Sequence, residues 1–245
     1  MKNHALATLT LAAASFTAFQ TANADLFLHS NFDIGPGIYN DETSIPDLTG
    51  RNHGLGYGTF VAGSLAHPSS PGSSGNRMEG FGSVGYSNLS YEFNQEWYSS
   101  YIWKFDDSNG ISFRIDDGTS ANRLIYHIFS DGSQIISNQG TSTAWYLDLA
   151  VNISHFVLLH YKPLQNGTSQ LELWVDPNTA NLGVPVLTHE FSTFNFSANY
   201  FVNWDGINSI DELRYGTELS DVAVVPSPAT LAPLLGLALA HRRKR

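Results

Sequence analysis

The chain of 245 residues has no cysteine. That excludes disulfide cross-links, thiolate zinc sites and cysteine nucleophiles, so folding rests on a hydrophobic core alone. Basic residues are scarce, 12 against 22 acidic ones. Five of the basic residues sit in the two ends, which carry no acid, so the body between them has seven basic and 22 acidic residues, a net charge of −15. A surface of that sign repels phosphate backbones, and no nucleic-acid partner is expected. No segment sustains a 3.6-residue apolar period over a helix length, no 20–50-residue repeat is visible, and neither G-x-S-x-G nor H-E-x-x-H occurs.

The two ends are unlike the body. MKNHALATLTLAAASFTAFQTANA begins with Lys2, continues through an apolar stretch from Ala5 to Phe19, and closes on Ala22-Asn23-Ala24. A positive start, a short apolar core and small residues at −3 and −1 are the parts of a secretory signal, predicting cleavage after Ala24 and a mature chain from Asp25. The other end reads VPSPATLAPLLGLALAHRRKR from Val225 to Arg245. An apolar stretch closed by Arg242, Arg243, Lys244 and Arg245 inserts with its basic end on the cytoplasmic side. Leu231–Ala240 as helix spans roughly 15 Å against about 30 Å of hydrocarbon, which predicts transient membrane insertion and no lasting anchor.

Between the ends, aromatic and β-branched runs alternate with Gly, Asn, Asp, Ser and Pro, which predicts an all-β domain over 25–225. Ten strands are expected: Leu26–Phe32, Tyr98–Phe105, Ile111–Ile115, Leu124–Phe129, Gln134–Ser137, Trp145–Leu149, Phe156–Tyr161, Gln170–Val175, Val186–Phe191 and Ser209–Tyr215. That number implies two packed antiparallel sheets, a jelly-roll sandwich, flanked by a signal helix and a short C-terminal apolar helix. Residues 35–80, rich in Gly, Ser, Pro and Asn, read as long surface loops. Gly80-Phe81-Gly82-Ser83-Val84-Gly85 formally matches G-x-G-x-x-G, but no helix pattern follows it, and it reads as a glycine-rich turn.

Two stretches resemble a known family. LELWVDPN (Leu171–Asn178) and SIDELRYGTELSDVAVVP (Ser209–Pro226), with the opening LFLHSNFD (Leu26–Asp33), resemble the LamG-like, concanavalin A-like jelly-roll domains of exported bacterial proteins. The tail resembles the PEP-CTERM sorting signal, whose Val-Pro-Glu-Pro precedes an apolar helix and an Arg-rich end. Here Val225, Pro226 and Pro228 match, Ser227 stands in place of Glu, Ala229 continues the pattern, and Pro233 interrupts the helix. The resemblance implies an exosortase partner that cleaves the 226–245 tail near the Pro motif and releases the body to the cell surface or extracellular matrix.

Candidate chemistry is sparse. Glycoside hydrolysis needs two carboxylates about 5–9.5 Å apart. Asp106-Asp107, Asp116-Asp117 and Asp211-Glu212 are adjacent pairs that point to opposite faces in a strand. Glu172 and Asp176 share a predicted face but sit four residues apart, roughly 13 Å at about 3.3 Å per residue. No catalytic residue and no metal ligand are therefore assigned. The oxygen-rich Asp106–Asn109 and Asp116–Gly118 stretches offer hard ligands for Ca²⁺, which LamG-like domains can carry, but read as hairpin turns. The histidines are expected at the surface or in packing. In QLELWVD, Leu171, Leu173 and Val175 are assigned to the core, leaving Glu172, Trp174 and Asp176 on the opposite face as a site for polysaccharide; Trp204 and Asp205 form a second. The function expected is a non-catalytic surface or matrix component that binds polysaccharide, with a glycan-active enzyme or a purely structural protein as the alternatives.

Overall fold

A computed structural model describes residues 26–30, 37–44, 49–50, 54–72, 75–87, 95–104, 111–116, 123–129, 133–138, 141–146, 148–193, 198–203 and 208–224. They form fifteen strands and one short helix: β1 Leu26–Ser30, β2 Gly37–Ser44, β3 Thr49–Gly50, β4 Gly54–Ala62, β5 Asn76–Ser87, β6 Trp97–Lys104, β7 Ile111–Asp116, β8 Arg123–Ile128, β9 Ser133–Asn138, β10 Thr141–Tyr146, β11 Ser154–Pro163, β12 Thr168–Val175, β13 Leu187–Ser192, β14 Ala198–Asn203, β15 Ser209–Gly216 and α1 Leu219–Val222. The fold is the antiparallel two-sheet jelly-roll sandwich that the strand pattern predicts. Both terminal segments lie outside the described residues. Among the described residues no helix is long and apolar enough to cross a membrane.

The first sheet runs β13-β12-β11-β6-β15. Its last strand, β15, pairs with β6 on one side and with β1 and the start of β5 on the other. The second runs β5-β14-β7-β8-β9-β10. One strand joins the two: Met78 and Glu79 of β5 pair with β15, whereas Gly82 to Ser87 pair with β14. The change of sheet falls at Gly80, whose φ of 76° is a left-handed conformation that glycine adopts without a Cβ clash. Gly80 also donates its N–H to the Asn208 carbonyl at 3.0 Å. The glycine run is thus a bend inside a twelve-residue strand and not a turn. Strand β4 breaks register between Tyr57 and Thr59 as it follows. These two strands, with β2 and β3, correct the expectation of loops over 35–80: glycine lowers the strand signal although it is what lets a strand pass between sheets. Strand β14 was also missed, and β10 begins four residues before the segment expected there.

The core between the sheets draws on both of them. It includes Phe113, Ile115, Leu124, Tyr126 and Ile128 from one sheet and Trp97, Tyr101, Trp103, Tyr161, Leu171, Leu173 and Tyr215 from the other. The Trp97 indole stacks on Tyr161 at 5.3 Å and meets Tyr215 edge-on at 5.5 Å. Each such pair adds about 0.5–1.5 kcal/mol beyond area burial.

The two sheets differ in what covers their outer faces. Strand β8 alternates half-buried and buried residues, the mark of a sheet with one face toward solvent. Strand β15 is buried at every position, because the middle of the first sheet is covered on both faces. Its outer face carries Ile102, Phe156, Leu158 and Trp174, packed under Leu65, Val222 and Ala223. Two straps make that cover, the loop 63–72 and the segment 217–224.

Candidate functional site

The β12 site predicted from sequence is assembled otherwise than expected. Leu171 and Leu173 do enter the core, with Val175 packed against it. Trp174 is only 6% exposed, lies in the second core, and donates its indole N–H to the Gly183 carbonyl at 3.3 Å. It presents no open ring to a sugar. Glu172 is paired within the sheet, with Lys162 Nζ at 2.7 Å and His160 Nδ1 at 3.1 Å from Oε2. His160 Nε2 lies 2.7 Å from Glu96 Oε1, and the ring stacks on Tyr98 at 3.9 Å. Burial, together with the Lys162 ammonium, holds the His160 pKa below its ordinary value despite the two carboxylates.

Asp176 lies beyond the end of β12 in a left-handed conformation, φ 49°, so it does not continue the Glu172 face. Its Oδ1 accepts the Phe156 N–H at 2.7 Å and approaches His67 Nε2 at 3.2 Å; its Oδ2 meets His155 Nδ1 at 2.7 Å. His67 Nδ1 accepts the Ser69 N–H, which leaves the proton on Nε2 facing the carboxylate. His155 has acceptors at both nitrogens, the second being the Ala150 carbonyl at 2.9 Å. Burial opposes its protonation, but the bonds to Asp176 and Ala150 and the carboxylate charge outweigh that and raise its pKa. Burial likewise works against ionised Asp176, yet the bonds from His155, His67 and Phe156 bring its carboxyl well below the usual range. The cluster ties the loop 63–72 to the end of the β11–β12 pair.

The SIDELRYG motif has a mechanical role. Asp211, fully buried, accepts the Leu65 N–H at 2.7 Å, the Glu212 N–H at 2.8 Å and the Ser64 hydroxyl. Burial is the main cause that raises its pKa to about 7; those bonds restrain it. Glu212 sits at φ 54° where the β15–β6 register breaks, and its carboxylate meets Arg214 Nη2 at 2.9 Å. At Gly216 a Cβ would come 2.3 Å from Asp221 Cβ, so only glycine lets α1 fold back onto the strand. The returning segment is fastened by Ser100 Oγ to the Val222 carbonyl at 2.6 Å, Val224 N–H to the Ser69 carbonyl at 2.8 Å, and Thr179 Oγ1 to the Val224 carbonyl. In sequence Asp211 and Glu212 read as a pair pointing to opposite faces, and the structure gives them separate partners, one acid to the loop and the other to arginine.

Among the described residues, the outer face of the second sheet carries exposed aromatic side chains. In β8, Leu124, Tyr126 and Ile128 enter the core, leaving Arg123, Ile125 and His127 outward. Arg114 of β7 lies opposite Ile125. His127 stacks on Phe129 at 5.8 Å, and Phe129 is 36% exposed. Burial keeps the His127 pKa below its ordinary value. Ile128 pairs with Gln134 and Tyr146 with Ser133, which brings Tyr146, 67% exposed, to the same end of the sheet as Phe129. Exposed Ser142 and Ala144 continue the face along β10. The two aromatic rings at this end of the sheet can stack on pyranose rings. This face was not foreseen, because exposed Phe129 and Tyr146 read in sequence as ordinary strand residues.

The second predicted pair, Trp204 and Asp205, lies outside the described residues, as do Ala22, Ala24, the Val225–Ala229 motif and Arg242, Arg243, Lys244 and Arg245. So do Asp106–Asn109 and, after Asp116, Asp117 and Gly118. Among the described residues no group of three or more His, Asp or Glu side chains is placed to hold a metal ion.

No family model matches the chain, and no curated protein matches it in sequence. Its fold is similar to that of several solved structures. One is the endo-beta-1,4-glucuronan lyase of the fungus Trichoderma reesei, with TM-score 0.46 and 16% identity over 77% of this chain and 98% of that one. Another is the sialidase of Trypanosoma rangeli, with TM-score 0.48 and 10% identity over 80% of this chain and 31% of that one. A third is the binding domain of botulinum neurotoxin DC in complex with SialylT, with TM-score 0.42 and 11% identity over 78% of this chain and 50% of that one. The chain spans nearly the whole lyase, but under a third of the sialidase and half of the toxin domain. Likeness at this level assigns no activity.

Proposed function

We propose that the chain is an exported, non-catalytic polysaccharide-binding protein of the cell surface or extracellular matrix, built on a LamG-like domain. The observation that carries the binding reading is the outer face of the second sheet, where Phe129 and Tyr146 stand exposed at one end. A sugar chain crossing the end of the sheet from Phe129 to Tyr146 would stack on both rings. Support for a non-catalytic role comes from four of the described carboxylates: Glu172, Asp176, Asp211 and Glu212 are each engaged in holding strands or straps together.

Export rests on the signal-like start and the Val225-Pro226-Ser227-Pro228 tail, through which an exosortase would release the body after transient membrane insertion. The domain's last described residue, Val224, is fastened to Ser69 and Thr179, so cleavage just beyond it leaves the covering strap in place. A glycan-array screen with the chain, followed by an assay for reducing ends on every hit, tests the proposal. Binding without turnover is the expected result. Turnover would make it an enzyme, and silence in both assays would leave a purely structural protein.

A further inference from the structure

The second sheet ends in a strand that has no charged residue to protect it. Among the described residues, strand β10 is hydrogen-bonded to β9 alone and closes the sheet. From Gly132 to Leu147, sixteen consecutive residues that include the whole β9–β10 hairpin, there is no charged side chain and no proline. Sheets keep their edges from joining by placing charge or proline there. The other long edges of this fold follow that rule: β13 holds His189 and Glu190, and β2 holds Asp41 and Glu42. Strand β10, TSTAWY, is made largely of Thr, Trp and Tyr, which favour strand pairing.

We propose that β10 is an interaction surface for a second copy of this chain, joined edge to edge in antiparallel pairing. Charge limits where two copies can meet. Two bodies of net −15 repel one another wherever their acidic surfaces meet, and the uncharged hairpin is where that cost is least. The pairing is self-complementary, as a two-fold contact requires. With the axis perpendicular to the sheet, outer faces stay on one side, and a residue of β10 must face its own counterpart. Centred on Ala144, the pairing sets Ser142 opposite Tyr146, a small residue beside a large exposed ring, and Ala144 opposite itself. The result is a continuous sheet across two copies, with both aromatic faces turned the same way.

The absence of cysteine makes the test clean. Ala144→Cys and, on the far edge, Thr188→Cys are made in the full chain; both positions are exposed. Under mild oxidation Ala144→Cys is expected to form a disulfide-linked dimer and Thr188→Cys to remain a monomer, since directly opposed residues lie within disulfide reach. By sedimentation equilibrium without any glycan, the unaltered chain should dimerise and Ala144→Lys, which opposes two lysines, should not. Equal cross-linking at both positions, none at 144, a monomeric unaltered chain, or a dimeric Ala144→Lys would each overturn the proposal. None of these readouts involves sugar binding.

Discussion

His155 Nδ1 and Asp176 Oδ2 meet at 2.7 Å across the end of the β11–β12 pair, with the imidazole buried and the carboxylate partly open to solvent. Five residues along the same strand, His160 is also buried and also bonded to carboxylates, yet its pKa moves the other way. His155 is raised above its ordinary value of 6.5, so its contribution to stability is complete below that pH and fades as pH rises through the higher folded value. His160 is lowered, so its contribution is complete above 6.5 and erodes as pH falls toward the lower folded value. Imidazole resonances followed by NMR should titrate on opposite sides of 6.5, His155 above and His160 below. Coincident titrations would refute the cluster geometry.

Asp211 makes a third pH-dependent contribution. Between its ordinary value of 3.8 and about 7 the folded chain holds a proton that the unfolded chain releases, so stability falls as pH rises through that window. Asp211→Asn has no such window. The melting midpoint of the unaltered chain relative to the variant should therefore be higher at about pH 5 than at about pH 8. A difference that is flat with pH would show that Asp211 is ionised in both states.

At Gly216 any side chain must displace Asp221, whose Cβ, Cγ and Oδ2 all lie within 2.7 Å of an added Cβ. Gly216→Ala is expected to cost roughly 1–3 kcal/mol, as overpacking does, and to loosen the 217–224 strap. Hydrogen exchange would report the loosening at Val224, whose N–H bonds to Ser69. Unchanged protection there would mean that the strap is held independently of α1.

Trp174 separates packing from binding. Its burial under Leu65, Val222 and Ala223 predicts that Trp174→Ala costs about 3–5 kcal/mol of stability by chemical denaturation, as large-to-small core changes do. While the variant remains folded, its affinity for any glycan should be unaltered. A drop in affinity without a drop in stability would return the site to β12.

Much of the fold was legible because period-two patterns and turn residues are local. QLELWVD showed Leu171 and Leu173 as core residues by alternation alone. The role of Trp174 was not legible, since alternation tells which face a residue takes and not whether the straps 63–72 and 217–224 later cover that face. Strands β4 and β5 were hidden by the glycines that let them change sheets. The exposed pair Phe129 and Tyr146 became visible only through register across three strands.

The central claim is that sugar binds on the outer face of the second sheet through Phe129 and Tyr146. Its most direct test is isothermal titration of a polysaccharide found by the array into the unaltered chain and into Phe129→Ala and Tyr146→Ala. Both residues are exposed, so each variant should melt within a few degrees of the unaltered chain and bind at least about tenfold more weakly, the loss of about 1.4 kcal/mol. Undiminished affinity in both variants would contradict the claim.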